Sequence, residues 1–160
     1  MKDPLFRTAF GLEIGVREVV REIVRFIEAD DTFRYKVIIG TDSEGMANNR
    51  ADFVTAVLVH RVGNGGRYFW RRALSGTFYT LRDRIIKEVL ISLDAAKMVL
   101  AELEATATTN WDFEIHADVG DNGKTKVLIQ EVVGMIRANN FEAKTKPDSY
   151  AATKVADRHV

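Results

Sequence analysis

Asp42 and Asp118 are the residues around which chemistry could gather. Asp42 follows the most apolar run of the chain, Val37-Ile38-Ile39-Gly40, and Asp118 follows Phe113-Glu114-Ile115-His116-Ala117. Both runs read as buried strands, and open α/β sheets place their ligands at the carboxyl ends of strands. If the two strands are parallel neighbours, their carboxylates come close together. Such a pair is unfavourable unless one group is protonated or a divalent cation neutralises both. Mg²⁺ and Mn²⁺ take carboxylate oxygens alongside water and phosphate oxygens. The pair therefore points to metal-assisted phosphoryl chemistry. Each aspartate also has a plain structural reading, as a turn or cap residue.

Two further acids could join them. A long helix is expected over 80–105, with an apolar stripe of Leu81, Ile85, Val89, Leu93 and Leu100. Glu88 falls at the border of that stripe and could lean over the sheet edge. Its bland alternative is a pair with Arg84 four residues earlier. Asp157 shares a helical face with Tyr150, Thr153 and Lys154. Basic neighbours suit a phosphate site, and they suit a solvated helix equally. Asp148 is its rival but reads better as an N-cap. His116 lies two residues before Asp118 on the same strand face and could assist, although a lone strand histidine is more often a packing residue. Lys124, Lys126, Lys144, Lys146 and Lys154 are candidates for phosphate contacts or plain surface.

The stretch HADVGDNGKTK carries the Gly-Lys-Thr ending of a phosphate-binding loop. That loop needs a glycine at position 118, where this chain has aspartate. The segment is read instead as strand, Asp118, tight turn and helix.

Positioning these acids falls to a regular series of elements. An amphipathic helix over 12–29 carries Val16, Val19, Val20, Ile23, Val24 and Ile27 on one face. Strands follow at 36–43, 52–62 and 67–74, the last two joined by the Asn64-Gly65-Gly66 turn. After the 80–105 helix come a strand at 112–120, a helix at 123–139, a short strand at 141–147 and a closing helix over 150–159. Three strands before the first crossover helix, then alternation, imply an α/β fold: a mixed five-stranded sheet with helices on both faces and an extra N-terminal helix. The 160 residues are expected to form one domain, with 1–30 a helical extension and 35–160 the core. Phe69 and Trp70 in the third strand could stack bases, though core packing explains them as well.

Composition excludes more than it selects. There is no cysteine, so thiolate metal sites, disulfides and cysteine nucleophiles are out. Nothing resembles a membrane span, and MKDPLFRTAF is too polar for a signal peptide, so a cytoplasmic protein is expected. Lys plus Arg number 23 and Asp plus Glu 23, so net charge leaves no nucleic-acid footprint, only room for a local basic patch.

With these residues in view, the chain resembles the ribonuclease H-like order of elements. IGTDS, HADVGDNGKTK and KPDSYAATKVADRH resemble, more closely, the little-characterised bacterial YkuK-type family of ribonuclease H-like proteins, over about residues 35–160. The resemblance implies a nuclease using two Mg²⁺ or Mn²⁺ ions. It implies that Asp42 bridges both, Glu88 and Asp118 bind one, and Asp157 binds the other. Asp42 and Asp118 match the family pattern well. Glu88 matches by helix phase and Asp157 by position alone. Nucleic acid is the implied partner, as RNA, RNA–DNA hybrid or structured DNA, and the N-terminal stripe could serve a homodimer. The competing reading is a catalytically inactive nucleic-acid- or protein-binding module on the same fold. Nucleotide binding of the actin or Hsp70 type would need two such domains around a cleft.

Overall fold

The computed structural model describes residues 4–45, 47–121 and 123–150. In chain order it forms β1 (Leu5–Thr8), β2 (Glu13–Gly15), α1 (Val16–Glu28), β3 (Tyr35–Gly45), β4 (Ala51–Arg61), β5 (Gly66–Ser75), α2 (Leu81–Glu104), β6 (Asp112–His116), α3 (Ile129–Ala138) and β7 (Glu142–Lys144). All the strands join one sheet in the order β2-β1-β5-β4-β3-β6-β7. β3, β4 and β5 form an antiparallel meander, while β6 pairs parallel with β3 and β7 parallel with β6.

The expected five strands are all present. Two more extend the β5 edge: β1 pairs with β5, and β2 pairs with β1. This hairpin also corrects the N-terminal helix, which starts at Val16 because 13–15 are taken up in strand pairing.

β3 is central because its residues are apolar on both faces. Val37, Ile38 and Ile39 are all completely buried. Side chains alternate along the strand. Val37 and Ile39, with Val57, Val59, Phe69 and Ile115, pack into the core that α1 and α2 close. The α1 stripe, Val16, Val19, Val20, Ile23, Phe26 and Ile27, is buried in the same core. Spent inside the chain, that stripe offers no seam to a second copy. α2 packs on β3, β4 and β6 and lies between α1 and α3, so the three described helices share one face of the sheet. Helices were expected on both faces; of the closing helix expected over 150–159, residues 151–159 lie outside the described residues. No helix among the described residues is long and apolar enough to cross a membrane.

α3 also begins later than its periodicity suggests. Residues before it form a short 3₁₀ turn, Lys126–Leu128. The Gly120 N–H donates to Thr125 Oγ1 at 3.3 Å, so the Gly-Lys-Thr segment folds back on its own turn instead of opening a helix.

Candidate active site

The sheet register brings the two aspartates level. Gly40 of β3 stands opposite His116 of β6, and each chain then runs two residues further, to Asp42 and Asp118. Asp42 does not end its strand. It lies within β3, paired with Val54, and β3 continues to Gly45. Its Oδ1 accepts the N–H of Ser43 at 2.9 Å. Asp118 lies just past the end of β6, in the turn toward α3.

Glu88 reaches the same rim from α2. It is only 7% exposed, an unusual place for a carboxyl group. The helix is pinned there by hydroxyls: Thr41 Oγ1 lies 2.7 Å from Ser92 Oγ and 3.1 Å from Thr55 Oγ1. One turn from Ser92, Glu88 accepts a hydrogen bond of 2.5 Å from the Ser43 hydroxyl. The anticipated Glu88–Arg84 ion pair is not formed.

Burial and like charge act together on Glu88. Its pKa is pushed up to about 8, first by burial and then by the charges of Asp42 and Asp118, against the opposing Ser43 bond and the Arg84 charge. Three carboxyl groups from three elements thus feel one another. A fourth charge answers them. Lys146 Nζ lies 2.8 Å from Asp118 Oδ1. Its ammonium is held above its ordinary range by the hydrogen bond and charge of Asp118, with a further pull from Asp42. Gly120 makes this approach available, since a Cβ there would stand 2.8 Å from Lys146 Cβ. Glu88 and Asp118, with Thr41 and Ser92, line a small pocket of about 10 Å³. That is room for about a single water.

In chemistry the carboxylates fit a divalent cation: hard oxygen donors whose mutual repulsion such an ion would relieve. Their arrangement is not a closed cage. Among the described residues no group of three or more His, Asp or Glu side chains is gathered tightly enough to hold one ion.

The other sequence candidates are dispersed. Asp157 and Lys154 lie outside the described residues. Asp148 is exposed in the turn after β7, its N–H bonded to the Thr145 carbonyl. Lys124 is exposed on the turn after β6 and faces a neighbouring cleft. His116 is 1% exposed and has both ring nitrogens engaged, Nε2 with Glu114 and Nδ1 with the Tyr150 N–H. It serves the packing role foreseen for a strand histidine. Phe69 is core, and Trp70 carries the Arg7 guanidinium 5.6 Å from its ring centre. Sequence reasoning missed Ser43, and it offered Lys146 as a phosphate contact or plain surface, not as a partner of Asp118. The serine's signal was its place directly after Asp42. No signal in the sequence alone pairs Lys146 with Asp118.

The family model described as "Ribonuclease H-like" matches residues 18–160. A curated relative, the uncharacterized protein YkuK of Bacillus subtilis (strain 168), is 32% identical over 168 aligned positions, which cover 96% of this chain and 95% of YkuK. No solved structure matches the chain significantly.

Proposed function

The chain belongs to the YkuK-type family of ribonuclease H-like proteins, and from that premise we propose that it is a metal-dependent nuclease hydrolysing phosphodiester bonds at the Asp42–Glu88–Asp118 rim. The observation that carries the reading is Glu88. A buried carboxyl group whose pKa is raised to about 8 beside two aspartates is a costly arrangement, and such groups cluster where chemistry needs them.

Asp42, Glu88 and Asp118, with Asp157, would hold Mg²⁺ or Mn²⁺. A pair of such ions supplies an activated water and neutralises charge on the phosphoryl and leaving oxygens. The chain's own contributions are orientation and charge. The Ser43 hydroxyl fixes the Glu88 carboxyl. The Thr41–Ser92 bond fixes the helix that carries it. Lys146 holds Asp118 and offsets part of the negative field when no cation is bound. Lys146→Met is therefore expected to bind Mn²⁺ about tenfold more tightly than wild type by calorimetry, since one charge-assisted bond no longer competes. Unchanged or weaker Mn²⁺ binding would show that Lys146 does not compete for the site.

One observation favours a second reading, a non-catalytic nucleic-acid- or protein-binding module: Lys146 already answers Asp118, and the described acids do not close on one point. Labelled RNA, DNA, RNA–DNA hybrid and branched DNA, each incubated with Mg²⁺, Mn²⁺ or EDTA, separate the two. The nuclease reading expects metal-dependent cutting that disappears in Asp42→Asn and in Asp118→Asn. No cutting by wild type, together with no Mn²⁺ binding, would leave the module.

A further inference from the structure

Beside the carboxylates, on the side where α2 begins, opens a cleft of about 450 Å³. Three cations line it, each from a different part of the chain. Arg50 comes from the turn between β3 and β4, Arg84 from the first turn of α2, and Lys124 from the turn after β6. No carboxylate lines the cleft among the described residues, and none of the three forms a close ion pair with a described residue, although Glu88 feels the Arg84 charge. Arg84 Nε is sealed from solvent without a hydrogen-bond partner. Gathering like charges in this way is unfavourable unless an anion completes them.

Two aromatic residues complete the walls. Phe78 is anchored: its N–H donates to the Asn49 carbonyl at 2.6 Å, and its ring meets Phe53 edge-on at 5.5 Å. Tyr79, next to it, is left 78% exposed. A bare tyrosine ring beside unpaired cations has the chemistry of a single-strand site, where bases stack on the ring and phosphates meet the cations. Inside a duplex both faces of a base are stacked on its neighbours, so none is left for such a ring. Gly45, at the end of β3, keeps the entrance open, since a Cβ there would stand 2.7 Å from the Arg84 guanidinium.

We propose that this cleft binds an unpaired nucleic-acid strand, with Tyr79 stacking on a base and Arg50, Arg84 and Lys124 on its phosphates, and that the strand runs from there to the Asp42–Glu88–Asp118 rim. The delivery step rests on the nuclease reading; the binding step does not.

Binding is measured with EDTA present, so that no metal and no cleavage enter. Fluorescein-labelled single strands of about 15 nucleotides, as DNA and as RNA, are titrated beside the matching duplexes. Single strands are expected to bind more tightly than duplexes. Tyr79→Ala should lose about tenfold in affinity with little change in salt dependence. Arg50→Ala combined with Lys124→Ala should also lose about tenfold and flatten the salt slope, by roughly 0.7 for each phosphate contact removed. Arg34→Ala, an exposed cation preceding β3 and paired with Asp112, should bind as wild type. Gly45→Ala, which displaces only the tip of Arg84, gives a mild second test and should weaken binding without changing the melting temperature. Single strands that bind Tyr79→Ala and the double variant as they bind wild type, or a preference for duplex, would overturn the proposal. So would wild type that binds neither form. Acid-dependent cleavage with an indifferent cleft would remove this site and keep the nuclease. Cleft-dependent binding without cleavage would do the reverse.

Discussion

Glu88→Gln is expected to melt well above wild type in alkaline buffer, by about 6–20 °C, and to cut nothing. Glu88 ionises near 4.5 when unfolded and near 8 when folded. Between those values the folded chain holds a proton that the unfolded chain has released. Stability is full below about pH 4.5 and falls as pH rises through 8. A rise of that size corresponds to roughly 3–5 kcal/mol, and about 2–4 °C per kcal/mol for a chain of this length. Glutamine has no proton to lose and still accepts the Ser43 hydrogen bond. The variant should therefore melt close to wild type at pH 5 and pull away steadily as pH rises from there to about 8. Thermal melts followed by circular dichroism at several pH values measure this directly. A shift of equal size at pH 5 and pH 8.5 would mean that Glu88 costs stability through packing, not charge. Mn²⁺ adds a second axis. It should raise the melting temperature of wild type by binding the folded state, and do so less for Glu88→Gln, which lacks one of the acids. Stability gained where activity is lost is the signature of a group kept for function.

The fold was legible where a single physical signal dominated. Val37-Ile38-Ile39 has no polar face, so β3 had to be central, and the wheel of 80–105 put Glu88 at a stripe border, where the structure buries it. What stayed hidden needed knowledge of distant neighbours. β1 and β2 are 4 and 3 residues long, too short to show a period, and they exist because β5 offers them an edge. The late start of α3 follows from the Gly120–Thr125 bond, which competes with helix for the same residues. Lys146 finds Asp118 only because β7 lies beside β6 and carries the chain back past Gly120. Glu114 drew no role from the sequence, yet it is 5% exposed. The sheet's second face is closed around it as well.

That second face makes the other large prediction. The Tyr150 N–H donates to His116 Nδ1 at 3.1 Å, which leaves Nε2 as the protonated nitrogen of a neutral ring. Nε2–H then donates to Glu114 Oε1 at 2.8 Å. The hydrogen bond from His116 holds the Glu114 carboxyl below its ordinary range, against burial, with help from the charges of Lys36 and Lys144. His116→Ala removes the principal donor from a buried carboxylate and leaves Lys36, at 3.7 Å, as its nearest cation among the described residues. The expected loss is ~3–5 kcal/mol. His116→Leu combined with Glu114→Leu should lose less than His116→Ala alone, since no buried charge is left behind. Urea unfolding of the variants at pH 7 gives the comparison. A double variant weaker than the single one would show that the pair contributes more than its own neutralisation. The pH dependence has the opposite sign from that of Glu88. A lowered folded pKa means that the Glu114 contribution is present above about pH 4.5 and is lost as pH falls through the folded value. Two buried glutamates on opposite faces of one sheet thus bound the stability curve from either side, with its maximum in mildly acidic solution. Glu88→Gln should flatten the alkaline limb alone and Glu114→Gln the acid limb alone. An alkaline limb that survives in Glu88→Gln would have to come from another group, and the cost assigned to the candidate active site would fall with it.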